Sequence, residues 1–248
     1  MTDVTKLQKI CNAFKERLKT WFDVAHSLLA ISEIGADQVS EDLQSDPDAD
    51  YSFSFPTYID GEPNIINLST LEYVKMDETY HRHKGAITEL VYERIIQEYY
   101  HFLNQIIEQI VKEHITGIKL YPNIPKLQIS VNFSNQDILA EIPTLIRESF
   151  DFVKNVDKIS KIEKCLGKKL DDDWKKEIKK AIIVRNLLEH NQGIIRDRDI
   201  KDFGNSSIQL LDNSGIKKDF QEGDKVEITI YELFKLKQVF QHTSKGLI

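Results

Sequence analysis

The sequence has only two cysteines, Cys11 and Cys165, in 248 residues. That number excludes a cysteine metal cluster, and the wide separation argues against a disulfide framework. Cys11 falls on the apolar stripe of an N-terminal helix, where a thiol serves as a small buried hydrophobe. Such cysteine usage fits a reducing, cytoplasmic compartment. Ten glycines and six prolines are few for this length, so long helices are expected to dominate. No stretch approaches the roughly 18–20 apolar residues that cross a bilayer. The apolar run from Trp21 to Ile31 contains Asp23 and His26 and follows charge-rich, helix-periodic residues, unlike a signal peptide. Phosphate loop, dinucleotide fingerprint and serine-nucleophile motif are all missing, and no internal repeat is present.

The chain carries 41% hydrophobic and 29% charged residues, the balance of a globular protein. Its net charge of −7 argues against a generic nucleic-acid coat, but the charge is uneven. Between Lys154 and Lys201 fourteen Lys/Arg face nine Asp/Glu, an excess of five, which leaves −12 for the remainder. A basic surface of that kind suits a polyanion, and equally a solvated lysine face.

Leu7, Cys11, Phe14, Leu18, Phe22, Ala25 and Leu29 recur at helical spacing and predict a first helix ending near Gly35. The acidic stretch 37–50 reads as an exposed loop, YSFSF as a short strand and DGEPN as a turn. We expect residues 1–83 to form an N-terminal helix with an acidic irregular connector, and residues 84–248 a helical domain. In the latter, a helix from about Ala86 to His114 has Ile87, Leu90, Val91, Ile95, Tyr99, Leu103, Ile106 and Ile110 inside. A strand follows over Leu127–Phe133. A third helix starts near Ser134, meets Pro143 early and runs to Gly167. Asp171 caps a fourth helix that stops at Gly193. SIQLL and KVEITI suggest a hairpin or paired edge strands, and a last helix spans about Tyr231 to Thr243.

The fourth helix holds the candidate site. Trp174, Ile178, Ala181, Ile182 and Leu188 share a face, and Arg185 sits near its middle. A buried arginine is costly unless something pairs with it. Asn186 and His190 follow on an adjoining side, with His190 in the last turn, where a histidine can give or take a proton near neutral pH. Two readings remain open on these residues alone: a catalytic arginine and histidine, or an arginine buttressing a carboxylate beside a histidine cap.

The segment RNLLEHNQG, Arg185 to Gly193, resembles the signature of the HEPN superfamily: an arginine, usually a polar residue, and a histidine after four to six intervening residues, four here, near a helix end. The likeness is sharp over these nine residues, general over residues 84–248, and leaves residues 1–83 unaccounted for. It implies a mainly α, up-and-down helical bundle of HEPN type with a minor β element. It also implies a cytoplasmic, metal-independent endoribonuclease of toxin–antitoxin or antiviral systems, without cofactor, acting as a homodimer on RNA. On that resemblance His190 is the general base or acid, Arg185 stabilises charge on the phosphate, and Asn186 orients the scissile group. Lys179, Arg196 and Arg198 become candidate RNA contacts, and equally surface charges. A cognate antitoxin or defence protein is the implied partner. Members of the superfamily that only bind nucleotide, RNA or protein supply the alternative. A metal reading of His81, His83 and His101 lacks supporting ligand spacing.

Overall fold

The computed structural model describes residues 5–121, 123, 124 and 138–248. The spine of the molecule is α3 (Ala86–Ile115), where apolar positions at three- and four-residue steps leave fifteen of thirty residues buried. The helix matches its expected span, but Leu90 faces solvent. Four aromatic rings join α3 to two other helices. Phe14 of α1 (Lys6–Ser45) stacks on Phe102 at 4.4 Å, and Tyr99 stacks on Phe240 of α8 (Ile230–Leu247) at 4.1 Å. All four are fully buried, and each pair adds about 0.5–1.5 kcal/mol beyond the area it removes from water. Cys11 is buried in the same core, its thiol 3.2 Å from the Ser244 carbonyl.

Contacts divide the chain into two units, one of Met1–Asp23 with Thr88–Ile248 and one of Val24–Ile87. The N-terminal stripe Leu7, Cys11, Phe14 and Leu18 therefore belongs to the larger unit, whereas the sequence reading grouped it with the connector. In the smaller unit α1 does not stop at Gly35 but continues to Ser45. One glycine costs a helix about 1 kcal/mol, too little to end it among helix formers such as Glu41 and Leu43. Gln38 also bonds Asp42 one turn on. The expected acidic loop shrinks to residues 46–49. Next comes an antiparallel hairpin, β1 (Asp50–Ile59) and β2 (Glu62–Glu72), turned at Asp60 and Gly61, both at positive φ. Asp-Gly favours this two-residue turn because glycine reaches positive φ without a steric penalty. A helix absent from the sequence reading, α2 (Tyr73–Arg82), follows.

In the larger unit, the expected strand at Leu127–Phe133 and the Ser134 cap lie outside the described residues. The single third helix is in fact two, α4 (Ile138–Asp151) and α5 (Asn155–Leu166). Pro143 is accommodated inside α4; the break comes instead at 152–154, where Phe152 is exposed, and Gly167 in the left-handed conformation ends α5. After α6 (Asp172–Asn191) the polar loop contains a further short helix, α7 (Asp197–Phe203). SIQLL supplies β3 (Ile208–Leu211), but its partner is β4 (Lys217–Phe220) rather than KVEITI. KVEITI instead runs extended, burying Val226 and Ile228 and touching the end of α6 through an Ile194–Lys225 bridge. The architecture is a mainly α bundle with a minor β element, and no helix among the described residues is long and apolar enough to cross a membrane.

Candidate functional site

Both ends of α6 are fixed locally. Asp171 accepts the Asp173 backbone N–H at 2.8 Å, and Asp172 and Asp173 set negative charge against the helix N-terminus. At the other end Gln192 turns left-handed and the Gly193 N–H reaches back to the Leu187 carbonyl at 2.9 Å. Gly193 has φ +81°, a left-handed backbone that side-chain-bearing residues rarely adopt. Glycine thus makes the turn after His190, and its carbonyl accepts the Val226 N–H of the KVEITI segment at 2.9 Å.

Between these ends Ile178, Ala181, Ile182, Val184 and Leu187 are buried. Arg185 is mostly buried, with 19% of its side chain exposed, while the His190 side chain is 65% exposed. The two meet on Glu189. Arg185 Nη1 lies 2.6 Å from Glu189 Oε2, and His190 Nε2 lies 3.3 Å from the same oxygen. Arg185 Nη1 also donates to Asn186 Oδ1 at 3.2 Å, so all three sequence-selected residues stand in one polar group. Glu189 is the member that sequence reasoning passed over, although it lies inside the quoted motif. Its signal was the i,i+4 spacing from Arg185 that pairs opposite charges on a helix.

Partnering is incomplete. Among the described residues Arg185 Nε and Asn191 Nδ2 are buried without a hydrogen-bond partner, as is the Tyr100 hydroxyl from α3. Burial raises the Tyr100 hydroxyl to about 12, while the Arg185 charge nearby draws it down. Asn155 lies close to that hydroxyl without hydrogen-bond geometry. Desolvated donors of this kind cost about 1–3 kcal/mol each when left unmade.

Compared with known proteins, the chain matches no family model, no curated protein and no solved structure.

The remaining candidates separate. Arg196 is engaged structurally: the Asp199 carboxylate accepts its Nε at 2.9 Å, its Nη2 at 3.2 Å and its backbone N–H at 3.0 Å, closing the first turn of α7. Burial works against the Asp199 charge, but these bonds outweigh it and hold the carboxyl below its usual range. Arg198 is exposed, 3.8 Å from Asp199. Lys179 is half-buried on the open side of α6. His81 lies against Asp77 at 3.4 Å, and no three His, Cys, Asp or Glu side chains gather as metal ligands among the described residues.

Proposed function

We propose that the protein is a HEPN-type endoribonuclease that cleaves RNA at Arg185, Asn186 and His190 without a metal ion. The observation that carries this reading is the convergence of Arg185 Nη1 and His190 Nε2 on one Glu189 oxygen. A phosphate oxygen displacing that carboxylate would meet both groups. Glu189 is 38% exposed, so its carboxylate has room to swing into solvent and yield Arg185 to a phosphate oxygen. In the reaction His190 takes the proton of a ribose 2′-hydroxyl, whose oxygen bonds to the adjacent phosphorus. The bond from phosphorus to the 5′-oxygen breaks, that oxygen takes a proton from water, and the hydroxide so formed is neutralised by the proton that His190 gives up. Arg185 steadies the charge gathering on the phosphate oxygens with its planar fork. A homodimer in the cytoplasm, working in a toxin–antitoxin or antiviral setting with a cognate protein partner, completes the reading. It rests on the RNLLEH likeness, since one chain supplies one such motif.

The test is incubation of pure protein with RNA in EDTA. The expected products end in 2′,3′-cyclic phosphate and 5′-hydroxyl, and His190→Ala should lower the rate about 10²–10⁴-fold while leaving the melting temperature unchanged. An RNA 2′-O-methylated at the cleaved position should be inert; its turnover, or full activity of folded His190→Ala, would refute the mechanism. The second reading, a non-catalytic module binding RNA, nucleotide or protein, draws on Glu189 already occupying Arg185. RNA bound but uncut by wild type would establish it.

A further inference from the structure

One side of α6 carries a second feature. Near the middle of the helix a cleft of about 480 Å³ opens between α5, α6 and the end of α7. Its apolar lining includes Ile178, Ile182 and Phe203, and its charged lining is Lys175, Lys176 and Lys179, with no carboxylate. The three lysines differ. Lys175 is held by Asp172 at 2.7 Å and Glu163 at 3.5 Å. Lys176 lies over the Phe203 ring at 5.8 Å. Lys179 forms no ion pair among the described residues. Ser160 and Asn205 add a hydroxyl and an amide. An apolar floor beneath a cationic rim suits a ligand with a flat hydrophobic part and an anionic part, and the volume lies in the ~300–1,000 Å³ range of small-molecule sites.

The cleft also shares a face with the candidate site. Lys179, Ile183, Asn186 and His190 follow at three- or four-residue steps, so they line one side of α6. None of the four is fully buried. At 1.5 Å per residue the axial distance from Lys179 to His190 is about 16 Å. A duplex is too wide for a cleft of this volume, whereas one unstacked nucleotide fits it.

We propose that the cleft is a nucleotide subsite for single-stranded RNA, whose strand continues along α6 to His190. This rests on the ribonuclease reading for what happens at His190, not for the binding itself. The base lies over Ile178, Ile182 and Phe203, and the flanking phosphates meet Lys176 and Lys179. Recognition is tolerant of sequence, because lysine rims and apolar floors carry no base-specific pattern.

The experiment is fluorescence anisotropy with a short, uncleavable 2′-O-methyl oligoribonucleotide. It compares wild type, Lys176→Glu/Lys179→Glu and Lys176→Arg/Lys179→Arg, each checked for helicity by circular dichroism. The double glutamate variant should bind at least about tenfold more weakly. Its salt slope should fall by about 1.4, the value for two lost phosphate contacts on a single strand. The arginine pair keeps both positive charges and should bind within about twofold of wild type. Should the glutamate variant fail to fold, Lys179→Gln replaces it, with an expected slope change of about 0.7. An unchanged dissociation constant and slope in a folded variant, or equal affinity for a duplex of the same sequence, would overturn the subsite. The two readings separate cleanly. Lysine-dependent binding without cleavage supports the cleft and removes the ribonuclease. Cleavage of a longer RNA with an unaltered KM in the lysine variants removes the cleft and keeps the ribonuclease.

Discussion

Lys180 and Arg185 lie five positions apart on α6, and the helix treats the two charges differently. Lys180 is buried, and its ammonium reaches Glu177 at 2.8 Å, Glu232 of α8 at 3.0 Å and the Gln209 carbonyl of β3 at 3.0 Å. An ammonium has three donors, and all three are used. Glu232 in turn accepts the Leu211 N–H at 2.9 Å, so one charged knot ties α6, α8 and the β3–β4 hairpin. Arg185 has five donors, concentrates its contacts on Nη1, and leaves Nε buried without a partner among the described residues. A saturated charge fixes neighbouring elements; an unsaturated one keeps capacity for a ligand.

Substitution should break that comparison most visibly at Lys180. Lys180→Ala leaves Glu177 and Glu232 without their shared cation and should cost about 3–5 kcal/mol, whereas Arg185→Ala should stay within about 1 kcal/mol. Urea unfolding of both variants decides it, and equal losses would erase the distinction. Burial opposes the Lys180 charge, but Glu232 and Glu177 outweigh burial and raise its pKa. The folded state therefore holds that proton more tightly than the unfolded chain. The stabilisation is complete below the unfolded lysine value of about 10.4 and is lost as pH rises through the higher folded value. Melting curves across that range should fall for wild type and flatten in Lys180→Ala.

A smaller change sharpens the other side. Glu189→Gln removes the carboxylate that occupies Arg185 and His190, and should tighten RNA binding about fivefold, matching the ~1 kcal/mol between unit charges 4 Å apart in water. Anisotropy measures it; weaker binding would mean that Glu189 serves the site rather than screens it. The smallest effect is expected from Tyr100→Phe. Deleting a buried hydroxyl without a partner should raise stability by up to about 1 kcal/mol, read as a higher melting temperature. A loss would reveal a bond the hydroxyl makes.

Which features were legible follows from where their causes lie in the chain. The bounds of α3 and α6 could be read because periodicity, the Asp171 cap and the Gly193 stop are local. Arg185, Asn186 and His190 were found together because they lie within five positions on one helix, whatever the tertiary fold. Lys180 was not, since a lysine within KKEIKK looks solvated and its burial depends on Glu232, fifty-two positions away. KVEITI alternates like a strand, yet β3 pairs with KKDF, because KVEITI is taken up at the end of α6. Gly35 looked like a stop because single-residue propensity was weighed above the good helix formers that follow it.

The stack of Phe14 on Phe102, with Tyr99 on Phe240 beside it, sets a timetable for biosynthesis. Phe14 leaves the ribosome more than two hundred residues before Phe240. At ~5–20 residues per second that interval is on the order of ten seconds or more. Throughout it, the Leu7, Phe14 and Leu18 stripe of α1 has no completed core to enter. Cooperative closure of the bundle over the α1 stripe thus waits for α8.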